Sequence, residues 1–191
     1  MLFSPESLEE HELAVLRLDP TQRQVFDDVR SWADRVKAWS SDQAFLEVDT
    51  DPWRLVLLGT AGTGKTLTTQ CAVTAARLAY GNCDAVATVA HTGAAASNMG
   101  GGAVTIDKLF KLSGDNADRD LQCDALRDVA ELFFTVRLVV VDEISMVGAA
   151  QFEMINRRLQ QIRSFIRQRL NASADVLDFG NFGLLLVGDF G

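Results

Sequence analysis

Eight consecutive residues, Gly59-Thr60-Ala61-Gly62-Thr63-Gly64-Lys65-Thr66, carry the strongest chemical signal in this chain. They fit the phosphate-loop pattern G-x-x-x-x-G-K-[ST]. Glycine lets a backbone take left-handed dihedrals and come close to a ligand. Successive N–H groups in such a turn form a nest for anions, and a following helix adds its positive N-terminal end. The Lys65 ammonium is a point charge for outer phosphates, and the Thr66 hydroxyl can ligate Mg²⁺. The flanks suit this reading. Trp53-Arg54-Leu55-Val56-Leu57-Leu58 is a short apolar run of the buried-strand type, and Leu67–Leu78 has helical character.

Two carboxylates stand together at Asp142-Glu143, directly after the apolar run Arg137-Leu138-Val139-Val140-Val141. Hydrolysis of a nucleotide needs one carboxylate to hold Mg²⁺ and one to orient or deprotonate water. At the carboxyl end of a strand they lie where open α/β sheets bind ligands. A further carboxylate, Asp189, follows the run Leu184-Leu185-Leu186-Val187-Gly188 and suits a phosphate sensor. Lys65, Asp142 and Glu143 are therefore the candidate catalytic residues. Gly59 to Thr66 and Asp189 are candidate nucleotide contacts, with Thr66 and Asp142 as metal ligands.

The elements that must position these residues follow from pattern. Ser4-Pro5 starts a helix reaching about Leu16. Asp19-Pro20-Thr21-Gln22 starts another, with Gln22 three residues after a capping Asp. Val25, Val29, Trp32, Val36 and Trp39 then form one apolar stripe. Asp49-Thr50-Asp51-Pro52 is a turn, Ala85–Ala90 a second strand, and Gly100-Gly101-Gly102 a flexible or tight loop. Residues 120–134 and 151–170 are helical, the latter carrying Arg157, Arg158, Arg163, Arg167 and Arg169 on what reads as a solvated face. Strands alternating with helices predict a mostly parallel sheet with helices on both faces, an α/β phosphate-loop NTPase.

Composition sets bounds. The chain has 191 residues, enough for one domain with a full core, and a formal net charge of −8, which argues against a nonspecific polycation binder. The charge is uneven: the first 51 residues hold twelve acidic and five basic side chains, whereas residues 151–170 hold one acidic and five basic. No apolar run approaches the roughly 20 residues of a membrane span. Nothing at the N-terminus has signal-peptide form. The three cysteines, Cys71, Cys83 and Cys123, form no metal-ligand pattern and read as reduced intracellular thiols.

Three further segments complete a resemblance. The loop Gly59–Thr66, the run Asp142-Glu143-Ile144-Ser145-Met146-Val147, and Val187-Gly188-Asp189-Phe190 resemble motifs I, II and the start of III of the petite-integration-frequency (Pif-type) DNA helicases. These are RecD-like members of helicase superfamily one. The stretch Val89 to Leu112 is similar to that family's DNA-contacting region, and Leu18 to Phe26 to its adenine-reading motif. Two positions depart: His91 stands where the family has Pro, and Asp107 where it has His.

The resemblance implies a RecA-like domain over residues 18–191 behind an N-terminal helical extension, residues 1–17. It implies that the chain stops inside motif III, so that the sensing Gln and the second RecA-like domain fall outside it. ATP and Mg²⁺ are the implied cofactors and single-stranded or forked DNA the implied partner, with unwinding in the 5′-to-3′ direction. Gln22 is implied to read adenine, and Thr92, Gly93, Asn98, Gly101 and Thr105 to touch DNA. The implied roles are repair, recombination and telomere or organelle DNA maintenance. The implied place is inside the cell: nucleus or mitochondrion in a eukaryote, cytoplasm otherwise. The alternative is a module that binds nucleotide and DNA with little turnover.

Overall fold

A computed structural model describes residues 5–38, 52–112, 119–172 and 175–189. The expected cap at Ser4, Trp39 of the apolar stripe and the turn residues Asp49-Thr50-Asp51 lie outside the described residues.

Among the described residues five parallel strands form one sheet: β1 (Arg54–Leu58), β2 (Val86–Ala90), β3 (Val104–Thr105), β4 (Leu138–Asp142) and β5 (Gly183–Gly188). Their order across the sheet is β1-β5-β4-β2-β3. The two-residue β3 is too short to give a period in the sequence, and pairing with β2 alone defines it. Register matters more than order here. Leu58 pairs with Gly188, Ala90 with Asp142, and Ala90 with Thr105. The loops that follow β1, β5, β4, β2 and β3 therefore emerge side by side along one edge.

Strand side chains alternate between two cores. Leu138 and Val140 of β4, with Leu185 and Val187 of β5, pack beneath two helices. Of these, α2 (Pro20–Ala38) contributes Val29, Trp32, Ala33 and Val36, and α3 (Lys65–Tyr80) contributes Ala72, Val73 and Ala76. Helix α1 (Pro5–Leu16) lies outside these two, with Ala14 and Val15 against Phe26 and Ala75. On the other face Val139, Val141 and Leu184 meet α5 (Ile106–Phe110), α6 (Cys123–Phe133) and α7 (Ala149–Arg169). Helix α4 (Gly93–Met99) connects β2 to β3 and packs Ala95 and Ala96 with Ala90 and Ala103. Each fully buried Leu, Ile or Phe contributes about 1.5–3 kcal/mol, so these two layers dominate stability. No described helix is long and apolar enough to cross a membrane.

The arginines of α7 correct a sequence expectation. Arg158, Arg163 and Arg167 are buried, at 0, 2 and 3% exposure, rather than solvated. Arg158 Nε donates to the Phe110 carbonyl at 3.1 Å, Arg163 Nε to that of Gly180 at 2.8 Å, and an Arg167 guanidinium nitrogen to that of Asp175 at 2.7 Å. Arg163 also lies over the Phe182 ring, 3.9 Å from its centre. A buried carbonyl without a donor costs about 1–3 kcal/mol, and a guanidinium carries five donors, so arginine serves here as backbone mortar. Only Arg157 and Arg169 keep the expected exposed setting, beside Asp120 and Glu131.

Candidate functional site

The phosphate loop joins β1 to α3. Gly62 and Gly64 have φ of 82° and 77°, the left-handed region that the G-x-x-x-x-G spacing anticipates. The Gly59 N–H donates to Gly188 O at 3.3 Å, tying the loop to the end of β5. The Thr63 hydroxyl donates to Thr60 O at 2.8 Å and folds the loop on itself. Lys65 reaches back along the same loop: its ammonium donates to Gly59 O, and to Thr60 O at 2.9 Å. Asp189 lies 3.9 Å from that ammonium. Thr66, in the first turn of α3, is exposed.

Gln22 sits on this loop. Its side-chain amide donates to Thr63 O at 2.8 Å, and its amide oxygen accepts from Asp19 N at 3.0 Å. The Asp19 carboxylate in turn accepts from the N–H groups of Thr21 and Gln22 at 2.8 and 2.9 Å. This is the capping box expected from the spacing, and it aims Gln22 at the phosphate loop. A methyl group on Gly64 would come within 2.6 Å of the Gln22 amide nitrogen.

The carboxylates close the other side. Asp142 ends β4 and is half-buried. Burial raises its pKa above the usual carboxylate value, and the neighbouring Glu143 charge adds to this. The Glu143 N–H and the Lys65 charge act the other way. That N–H donates to the Asp142 carboxylate at 2.9 Å. Glu143 itself is left-handed, with φ 57° and ψ 39°. Its side chain turns toward β2, where its carboxylate accepts from the Thr92 hydroxyl at 3.0 Å. Gly188 allows the turn after Glu143 to lie on β5, because a side chain there would meet Ile144 Cγ2 at 2.6 Å.

The site suits a magnesium ion of the kind nucleotide chemistry uses. A half-buried carboxylate with a raised pKa gains from a cation, and exposed Thr66 stands in the first turn of the helix that follows the phosphate loop. Among the described residues no cluster of three or more His, Cys, Asp or Glu could form a protein-only cage. Magnesium bound by one or two protein oxygens with phosphate and water has that donor pattern.

The residues expected to meet DNA divide into two groups. Thr92 and Thr105 follow or end β2 and β3 on the loop edge. Each accepts from the helix it starts: Ala95 N at 3.1 Å and Lys108 N at 3.3 Å. Gly93 is exposed beside Thr92. Asn98 lies in the last turn of α4 and Gly101 just past its end. Their carbonyls accept from α3 side chains, Gln70 at 3.5 Å and Arg77 at 3.0 Å. His91 Nδ1 is buried with no hydrogen-bond partner among the described residues. Asp107 accepts from the Gln151 amide at 3.0 Å, joining α5 to the start of α7. Neither Gln151 nor the Thr92–Glu143 bond has a local sequence signal. Both are contacts between segments some 44 and 51 residues apart.

Similarity to known proteins agrees with this geometry. The model of the PIF1-like helicase family matches residues 42–191, so Gln22 lies outside the matched stretch. No curated protein matches the chain. Unliganded Pif1 from Bacteroides superposes with a TM-score of 0.52 at 26% identity, over 78% of this chain and 30% of that one. A structure describing DNA unwinding at forked double-stranded DNA by two coordinating Pif1 helicases gives 0.55 at 25% identity, over 77% and 32%. Pif1 from Candida albicans gives 0.56 at 22% identity, over 91% and 32%, which bears on the fold. The chain thus spans about a third of the length of these relatives. With the family model covering most of its length and the loop, the carboxylate pair and the sheet order all in place, the chain belongs to the PIF1-like helicase family.

Proposed function

We propose that this chain forms the nucleotide-binding wall of an ATP-dependent DNA helicase, with residues 18–191 as its first RecA-like domain. The observation that carries this is the gathering of Lys65, Thr66, Asp142, Glu143 and Asp189 at the carboxyl ends of three neighbouring parallel strands, with Thr92 just past the end of the next strand. Backbone N–H groups of residues 59–66 and the N-terminus of α3 would face phosphates. Lys65 would leave the Gly59 and Thr60 carbonyls for the outer phosphates. Thr66 and Asp142 would hold Mg²⁺, which supplies charge neutralisation on the phosphates when bound. Glu143 would orient or deprotonate the attacking water. Asp189 would sense the phosphate through Lys65, and Gln22 would link adenine to the loop.

Single-stranded DNA would cross the exposed ends of β2 and β3 at Thr92, Gly93 and Thr105, gripped through phosphates with little sequence preference. A relative that acts at forked DNA supports that substrate class. The 5′-to-3′ polarity, a role in repair, recombination or telomere maintenance, and an intracellular setting follow from the family resemblance. A second reading, binding with little turnover, is favoured by one contact: Glu143 is engaged by Thr92.

Hydrolysis by this chain, with and without single-stranded DNA, beside Lys65→Ala separates the two. The helicase reading expects DNA-stimulated hydrolysis that falls at least about a hundred-fold in Lys65→Ala. Equal rates in the two proteins would leave only the binding reading.

A further inference from the structure

We propose that Thr92 is a positioning residue that holds Glu143 away from water until single-stranded DNA takes its hydroxyl; the inference rests on the DNA-binding reading above. A threonine hydroxyl has one proton to give. In this structure it goes to the Glu143 carboxylate at 3.0 Å, while the Thr92 oxygen accepts from Ala95 N at 3.1 Å. The oxygen is thereby fixed by the start of α4, and the proton has one direction to point. A DNA phosphate at the end of β2 needs the same proton. It also brings a second negative charge to the place where the carboxylate rests, and two anions sharing one donor repel. DNA at Thr92 and Glu143 on Thr92 are therefore mutually exclusive.

The backbone of Glu143 fits this role. A left-handed φ of 57° in a residue with a full side chain is costly, and such strain persists where the surroundings impose it. The register puts the two partners together. Asp142 pairs with Ala90, so Glu143 and Thr92 are the first side chains past two adjacent strand ends that can reach each other. Release of Glu143 by DNA frees the carboxylate beside the nucleotide loop. Hydrolysis is then tied to occupancy of the DNA groove through a single hydrogen bond.

The coupling has a readout that needs no turnover. If parked Glu143 competes with DNA, removing it must tighten DNA binding. The probe is a labelled oligothymidine of about sixteen nucleotides, titrated by fluorescence anisotropy at low salt. Glu143→Asp keeps the charge but shortens the reach to Thr92. It should bind the probe about three- to ten-fold more tightly than the parent chain, as should Glu143→Ala. Thr92→Ser, which keeps the hydroxyl, should match the parent. In a Thr92→Val background the Glu143 substitutions should give no gain.

An unchanged affinity in Glu143→Asp overturns the proposal, as does an equal gain in the Thr92→Val background, which would mark plain charge repulsion. Should Thr92→Val unfold for want of its cap on α4, the Glu143→Asp and Thr92→Ser comparison decides alone. A parent chain that binds no probe overturns the DNA reading itself. That outcome is distinct from a parent that binds but shows no Glu143 effect.

Discussion

The loop after β1 and the loop after β4 both turn through left-handed backbone, but they do so with different residues. After β1 the left-handed positions are Gly62 and Gly64, which carry no side chain. After β4 the position is Glu143, which does. The first loop offers backbone N–H groups, so nothing is lost by removing Cβ. The second must present a carboxylate, so the chain accepts a conformation that costs about 1–2 kcal/mol in an L-residue. The phosphate loop is also closed on itself, through Thr63, Thr60 and Lys65. Glu143 depends on a residue of another strand. One wall of the site makes its left-handed turns with glycines and without strain, and the other makes its turn with a residue that carries a side chain, under strain.

That contrast can be tested from both sides. The largest effect is expected from putting a side chain into the relaxed loop. Gly64→Ala imposes a Cβ at φ 77° and drives it toward the Gln22 amide. Urea unfolding should show a loss of about 1–2 kcal/mol. Titration with a fluorescent ATP analogue should show binding weakened about ten-fold or more. Unchanged values would mean that the loop is not fixed as described.

Removing the side chain from the strained wall should do the reverse. Glu143→Gly relieves the left-handed cost but gives the unfolded chain more freedom and removes the Thr92 bond. A net gain of about 0.5 kcal/mol in urea unfolding is expected, together with loss of hydrolysis. A clear loss of stability would show that the Thr92 contact outweighs the strain.

The smallest effect concerns Asp142. Its folded-state pKa is raised by burial. A raised carboxyl pKa means that the folded chain holds the proton more tightly than the unfolded one. Protonation therefore favours folding. That contribution is present below the ordinary carboxylate pKa and is lost as pH rises through the raised value. Asp142→Asn should melt about 1–2 °C higher than the parent at pH 7 without Mg²⁺. The difference should shrink toward zero as pH falls to about 4. A variant that melts lower at pH 7 would contradict the desolvation account.

The same division explains what the sequence made legible. The phosphate loop, the capping box at Asp19 and four of the strands are local patterns. Each was readable because its physics lies within a few residues. Strand β3 was missed because two residues carry no period. The arginines of α7 were misread because an arginine buried on a carbonyl and an arginine in water look alike in a charge pattern. The family resemblance groups Asn98 and Gly101 with Thr92, and the structure adds where each of them sits. The seven-residue α4 starts at the cap Thr92 and holds Asn98 in its last turn, so Asn98 and Gly101 come beside Gln70 and Arg77. The Thr92–Glu143 contact needs the strand order, which no local pattern encodes.

The buried arginines also have a mechanical meaning. Arg158 clamps the far end of α5, the helix that Thr105 starts, while Arg163 and Arg167 clamp the segment that leads into β5 and Asp189. Helix α7 is thus a tie-rod between the edge expected to carry the nucleic acid and the strand that ends beside Lys65. One directional bond, from Arg158, joins the rod to α5 beside their apolar contact, and two more, from Arg163 and Arg167, join it to the segment before β5.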